Sequence, residues 1–235
     1  MYNDDRNSNL NMEKKYKLTD ETVIVDGRTL HRIEALKDFA NVKKGDKGGF
    51  IEDEKNLYQS GDCWVCDNAR VYGNARIFGN ARIFGDTFVL NNAQVYGNAE
   101  VNDYAVVSDY AQVYGNARVY DNADISGNAA VSDDAEVGNN AKVYGNAEVS
   151  DNARVYGYAT VFEDAMVYGN AVIYDDAEIY GKARVYGKAE VYDSARVYGN
   201  AKVCDDAYIY NNAKICGEAK VYGNMEVYGN TRFGD

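Results

Sequence analysis

The sequence predicts an all-β protein whose main part is a three-sided solenoid of parallel strands. The first observation is spacing: from Val65 to Val227 every sixth residue is Val or Ile, and only the last such position, Phe233, departs. The second is an Ala four residues after nearly every one of these positions, with no insertion or deletion in between. Self-similarity of this kind indicates a stack of equivalent units in which each unit contacts only its neighbours.

The repeat unit reads as a short strand followed by a corner. In A-x-V-Y the residues alternate, so that Ala and Val point inward while x and Tyr point outward. A pair such as G-N, D-N or D-D then follows, and these residues tolerate turn and left-handed conformations. A strand and a corner every six residues produce a solenoid with flat sides.

The outward charges decide how many sides the solenoid has. Outward residues on adjacent turns lie about 4.8 Å apart, where like charges repel. Two repeats per turn would stack Arg70 on Arg82 and Glu136 on Glu148. Three repeats, or 18 residues, give one column of alternating sign. That column is Arg82, Glu100, Arg118, Glu136 and Arg154. The third observation therefore predicts three sides, and a rod roughly 45 Å long at about 4.8 Å per turn.

The chain divides into three parts. Residues 1–13 read as a flexible polar leader. Residues 14–64 contain two β-favouring runs joined by Asp26-Gly27, a strong hairpin signal, followed by turn-rich sequence. Because a repeat stack needs covered ends, residues 14–64 are predicted to cap the solenoid of residues 65–235. The predicted anchors of this cap are Phe39, Phe50, Leu57 and Trp64.

Composition excludes several classes of protein. The 235-residue chain has a net charge of −12, which disfavours binding to nucleic-acid phosphates. We expect no membrane partner, because no apolar run is long enough for a span or signal peptide, and we expect a cytosolic protein. The four cysteines show no disulfide spacing, and Cys63 and Cys66, three apart on a strand, point to opposite faces.

The repeat, an aliphatic residue followed four positions later by a small one, resembles the hexapeptide repeat of the left-handed parallel β-helix superfamily. That resemblance covers residues 65–235 and supplies the handedness, which spacing alone does not. The superfamily is best known for trimeric acyltransferases. The segment D-F-A-N-V-K-K-G-D-K-G-G-F-I with G-D-C-W-V is similar to that of bacterial and phage hexapeptide-repeat proteins called transferases or polymer-forming proteins, for which no activity has been demonstrated.

The residues that would support chemistry are missing. The resemblance implies a His as general base and a loop over the acyl-CoA site, but the repeats contain neither, and His31 lies in the predicted hairpin. One His is too few for a three-His zinc site. Acidic corners such as Asp133, Asp134 and Asp151 offer oxygens to Ca²⁺, although solvated turn residues explain them better. We therefore predict no catalytic residue, no metal and no cofactor.

The candidate binding residues form two outward columns. One consists of residues that directly follow the inward Val or Ile, and the other of residues that directly precede it. An aromatic column is predicted at Tyr156, Tyr174, Tyr192, Tyr210 and Tyr228. A basic column is predicted at Arg184, Lys202 and Lys220. Stacked aromatic residues stabilise neighbouring strands, and an exposed ladder of Tyr also suits self-association or planar ligands and sugars.

The function predicted from these features is that of a non-catalytic structural or interaction protein, a rigid rod that self-associates as a side-by-side trimer or an end-to-end dimer. One alternative is a CoA-dependent acyltransferase-like enzyme with a degenerate site. A second is a phage-type protein that sequesters a small molecule or mimics DNA. The identity of any small-molecule ligand stays open.

Overall fold

The computed structural model describes residues 13–235 as a parallel β-solenoid with a small β cap at one end. The solenoid has about ten turns of three short strands each, and strands pair with those one turn away. The leader predicted for residues 1–13 lies, apart from Glu13, outside the described residues. The prediction of an all-β parallel solenoid is confirmed.

The cap begins with an antiparallel hairpin and continues directly into the solenoid. Strands β1 (Tyr16–Val25) and β2 (Arg28–Ala35) meet at the turn Asp26-Gly27, where both residues have positive φ. Strand β3 (Lys47–Ile51) pairs with β2 and, in parallel, with the first solenoid strand of one face. A 3-10 turn, Glu54–Asn56, follows and is the only helical segment within residues 13–235.

The solenoid strands form three faces, here named face I, face II and face III in the order in which the chain visits them. Face I contains Trp64–Val65, Arg82–Ile83, Glu100–Val101, Arg118–Val119, Glu136–Val137, Arg154–Val155, Val172–Ile173, Glu190–Val191, Tyr208–Ile209 and Glu226–Val227. Face II contains Arg70–Val71, Phe88–Val89, Val106–Val107, Asp124–Ile125, Lys142–Val143, Thr160–Val161, Glu178–Ile179, Arg196–Val197, Lys214–Ile215 and Arg232–Phe233. Face III contains Arg76–Ile77, Gln94–Val95, Gln112–Val113, Ala130–Val131, Glu148–Val149, Met166–Val167, Arg184–Val185, Lys202–Val203 and Lys220–Val221.

The register of these faces confirms the 18-residue turn. On face I, Glu100 lies opposite Arg82 on one side and Arg118 on the other, so the alternating charge column forms as predicted. Backbone bonds join each turn to the next, for example from the Arg154 N–H to the Ala171 carbonyl at 2.9 Å. Since every turn adds its donors and acceptors to the ladder, the absence of Pro, which cannot donate, suits this architecture.

The core is a column of small aliphatic side chains. The inward Val, Ile and Ala residues from Val65 to Ala213 are fully buried. At the last turn the interior is more open, because Met225 and Phe233 each keep 36% of their surface exposed. Within residues 13–235 no α-helix has the length and apolar character needed to cross a lipid bilayer.

Each corner places one residue in the left-handed region, and this explains much of the acidic composition. The first corner residue is Gly or, at φ of +53 to +61°, an Asp, Asn or Glu, as at Asp151. The side chain of every Asp and Glu at this position, and of Asn139, accepts a hydrogen bond from the backbone N–H one turn later. Asp151 Oδ2 accepts from Gly169 N at 3.0 Å, and Glu163 Oε2 accepts from Gly181 N at 2.8 Å. The corner carboxylates therefore satisfy backbone donors between turns.

Replacing Asp151 tests this role. Asp151→Ala should lower the free energy of unfolding by about 1–2 kcal/mol, because Ala pays the steric cost of the left-handed conformation and leaves Gly169 N without its acceptor. Asp151→Asn, which tolerates the same conformation and keeps an acceptor oxygen, serves as the matched control. Urea unfolding measures both variants. Equal stabilities of the Ala and Asn variants would contradict the proposed role.

The cap is attached to the first turn by polar contacts as well as apolar ones. Asn56 is buried and donates to the Gly73 and Ala75 carbonyls at 3.2 and 2.9 Å. Lys15 is 1% exposed and donates to the carbonyls of Gly61 and Cys63 at 3.1 and 2.8 Å. Burial lowers the pKa of Lys15. These bonds compensate groups that would otherwise be costly to bury.

Glu52 gives the cap a dependence on pH. Burial alone would raise the pKa of this carboxyl, but hydrogen bonds from Gly73 N at 2.7 Å and from Arg28 at 2.8 Å together hold it below its usual value. A group whose pKa is lower in the folded state stabilises the fold above its unfolded pKa, and this stabilisation disappears as the pH falls through the folded pKa.

We therefore expect the cap of the wild type to loosen between about pH 5 and pH 3. Glu52→Gln should weaken the cap at neutral pH and flatten this part of the acid dependence. Hydrogen exchange of β2 and β3 as a function of pH measures the effect. An acid dependence in the Gln variant as steep as in the wild type would assign the transition to other carboxylates.

Candidate functional site: outward columns of the solenoid

The aromatic column of face I forms one continuous stack. Tyr156, Tyr174, Tyr192, Tyr210 and Tyr228 follow each other with ring centroids 4.8 to 5.3 Å apart and ring planes within 15° of parallel. Each ring directly follows a buried Val or Ile, so the 18-residue register alone aligns them. Such stacked pairs contribute about 0.5–1.5 kcal/mol each beyond the area they bury.

Stacking determines what this column can bind. Because the rings cover one another, both faces of Tyr174, Tyr192 and Tyr210 are occupied by stacking, whereas Tyr228, which ends the stack, is 55% exposed. Two of the hydroxyls reach carboxylates one turn on: Tyr174 to Glu190 at 3.5 Å and Tyr210 to Glu226 at 3.2 Å. Burial and the nearby Glu190 carboxylate raise the pKa of Tyr174. The column is therefore a hydrogen-bonding edge rather than a set of open platforms for sugars or planar ligands.

Other faces carry shorter stacks. On face II, Tyr144, Phe162, Tyr180 and Tyr198 stack at 4.9 to 5.1 Å. On face III, Tyr168 stacks on Tyr186 at 4.9 Å. A further column on face III, missed by sequence reasoning, runs through Tyr58, Phe78, Tyr96 and Tyr114. Its first ring belongs to the cap, whose spacing differs from the repeat, although the bridge between Leu57 and Ile77 aligns it.

The basic column of face III consists of like charges in direct register. Arg184 lies opposite Lys202, and Lys202 lies opposite Lys220. None of the three forms an ion pair with any residue of the described range 13–235. Like charges stacked on adjacent strands are unfavourable, so this column favours contact with negative charge from outside the rod.

The histidine and the cysteines considered as catalytic or metal-binding residues contact other groups of the chain. His31 Nδ1 lies 3.1 Å from the Thr19 carbonyl oxygen in the hairpin. All four cysteines are free, and burial raises the pKa of Cys63, whose Sγ lies 3.3 Å from Lys15 Nζ. Over the described part of the chain, no group of three or more His, Cys, Asp or Glu side chains is arranged to hold a metal ion.

The acidic corners use their oxygens within the fold. Asp133 Oδ2 lies 3.5 Å from Asp151 N, and Asp175 Oδ2 lies 3.4 Å from Asp193 N. A shallow groove of about 450 Å³ runs beside the alternating charge column, lined by Arg118, Glu136 and Arg154 and by corner residues such as Asn152. The groove is thus lined by charged side chains of both signs and by amides.

Fold and register together define this chain as a β-solenoid repeat protein. Residues 93–109 and 111–123 match the family described as YdcK beta solenoid repeat, so this part of the chain is similar to that family's repeats. No curated protein matches the chain.

Proposed function

We propose that the protein is a non-catalytic structural or interaction protein, a rigid rod that associates with further copies of itself through its long faces. The observation that carries this proposal is the continuous column of five tyrosines on face I, four of them partly buried and the last, Tyr228, 55% exposed. Tyr is among the residue types enriched at protein interfaces and at their energetic hot spots. A stack of paired turns is also stiff, because neighbouring units hold each other through backbone bonds.

We further propose that the coil is left-handed and of the hexapeptide-repeat type. The six-residue spacing of Val or Ile, with Ala four residues later, supports this assignment. An experimental structure reads the hand directly, and a right-handed coil would remove the assignment while leaving the three faces and their columns unchanged.

Light scattering tests self-association. We expect a mass larger than the 26.1 kDa of one chain at protein concentrations of about 100 μM. A monomer at this concentration would overturn the proposal.

The enzyme alternative is tested with acetyl-CoA at about millimolar concentration, where a specific site would raise the melting temperature by mass action. We expect no shift.

A further inference from the structure

Faces III and I carry complementary residues at the same heights along the rod. The chain leaves each strand of face III, turns one corner and enters face I, so residues six apart lie on the same turn. On one such turn Arg184 stands on face III and Glu190 on face I. Two turns further on, Lys220 stands on face III and Glu226 on face I.

The match extends over five consecutive turns. Between the two charge pairs, Lys202 shares a turn with Tyr208, which is 37% exposed. The Tyr208 ring can take an ammonium group against its face, and its hydroxyl oxygen can accept a hydrogen bond from one. On the turn before that of Arg184 and Glu190, both positions are apolar, with Met166 on face III and Val172 on face I. One turn earlier the charges are again opposite but reversed, with Glu148 on face III and Arg154 on face I.

These residues do not satisfy one another within one chain, because the two faces point in different directions. Within residues 13–235, the charged members of this set form no ion pair. By contrast, Arg196 on face II pairs with Glu178 of the preceding turn at 3.1 Å. Glu190 and Glu226 each accept a Tyr hydroxyl, at 3.5 and 3.2 Å, but no cation of the described range neutralises them. The charges on faces III and I can therefore still pair with charges of another molecule.

We propose that face III of one copy docks against face I of a second copy, parallel and without axial shift, over the turns from Glu148 to Glu226. This inference rests on the proposed self-association and names its interface. The basic column and the aromatic column then belong to the two halves of one contact: Arg184, Lys202 and Lys220 meet the edge formed by Glu190, Tyr208, Glu226 and the adjacent tyrosines.

The charges specify the register and direction of this contact. A shift by one turn in one direction brings Glu148 against Glu136, and reversing the direction of one rod brings Glu148 against Glu226. Both arrangements place like charges opposite each other. The unshifted parallel arrangement gives opposite charges on three turns, matched apolar residues on one and a Lys–Tyr pair on the fifth, with no like charges opposite each other. Rim charges of this kind set specificity and orientation more than affinity.

The contact uses two different faces, so it is heterologous. A two-fold dimer would need one surface to meet itself, and face III against face III would join two basic columns. Heterologous contacts close into rings or continue as filaments. We therefore expect assemblies of three or more copies in which every rod points the same way.

Charge reversal tests the interface. Reversing face I with Glu190→Lys and Glu226→Lys, or face III with Arg184→Glu and Lys220→Glu, should weaken association by about tenfold or more in Kd. Combining all four substitutions in one chain exchanges the two charge patterns and should restore association. The control is Lys142→Glu with Lys214→Glu on face II, which changes net charge as the face III reversal does and should leave association unchanged.

Sedimentation velocity measures association, and circular dichroism confirms that each variant folds. An associating wild type that tolerates the face I or face III reversals would overturn this interface but not the proposed function. Equal weakening by the face II control, lack of rescue by the fourfold variant, or a two-fold dimer would also overturn it. A monomeric wild type would instead remove the proposed function itself.

Discussion

Val155→Asp is expected to lower the free energy of unfolding by more than about 4 kcal/mol, because it places an unpaired charge in a dry aliphatic core. Val155 is fully buried and lies between Val137 and Ile173 of the neighbouring turns. Within the described chain, no basic side chain enters this part of the core to compensate the charge.

The damage should be local at first. Each turn contacts only its neighbours, so a break in the middle separates the cap with the early turns from the late turns. We expect hydrogen exchange to accelerate around residues 137–173 and urea unfolding to lose its single transition. The matched control is Thr160→Asp, which adds the same charge at an outward position between Lys142 and Glu178 and should change stability by less than about 0.5 kcal/mol. Similar losses for both variants would contradict this account of the core.

Trp64→Ala is expected to destabilise the cap by about 3–5 kcal/mol, the usual cost of deleting a buried Trp. The indole is 4% exposed and makes edge contacts with Phe39 at 5.3 Å and Tyr16 at 6.2 Å between ring centroids. It also lies on the first strand of face I, so it joins the cap to the solenoid.

Limited proteolysis with hydrogen exchange measures this effect. We expect residues 14–64 of the Ala variant to exchange and to be cut faster while late turns, such as that of Val203, stay protected. Trp64→Phe keeps an aromatic ring and should lose less than half as much stability. Uniform loss of protection along the rod would show that the cap and the solenoid unfold as one unit.

Much of the solenoid could be predicted from the sequence because its rules are local. An uninterrupted spacing of six assigns every Val and Ala an inward position, and the signs of Glu100 and its neighbours one turn away select three sides. The aromatic column of face I follows from the same register without further information. Where the 18-residue register holds, the sequence number of a residue determines the face on which it lies.

The rest depended on contacts that no short-range pattern encodes. Lys15 can be buried because its ammonium group donates hydrogen bonds to the carbonyls of Gly61 and Cys63, 46 and 48 residues away. The column that begins at Tyr58 was missed because the cap departs from the repeat spacing. The sequence predicts turn chemistry for the acidic corners, but it does not predict that Asp151 also accepts a hydrogen bond from the following turn. Each of these contacts joins residues whose proximity exists only in the folded chain.

The 18-residue register also limits the length changes that the rod can undergo without moving residues from one face to another. Removing 18 residues would shorten the rod by about 4.8 Å and leave every face with its own residues. Removing six would keep every Val and Ala buried, yet it would rotate all later turns by one face. The basic column of Arg184 would then move from face III to face II. A chain that must keep distinct faces can therefore change its length only by whole turns.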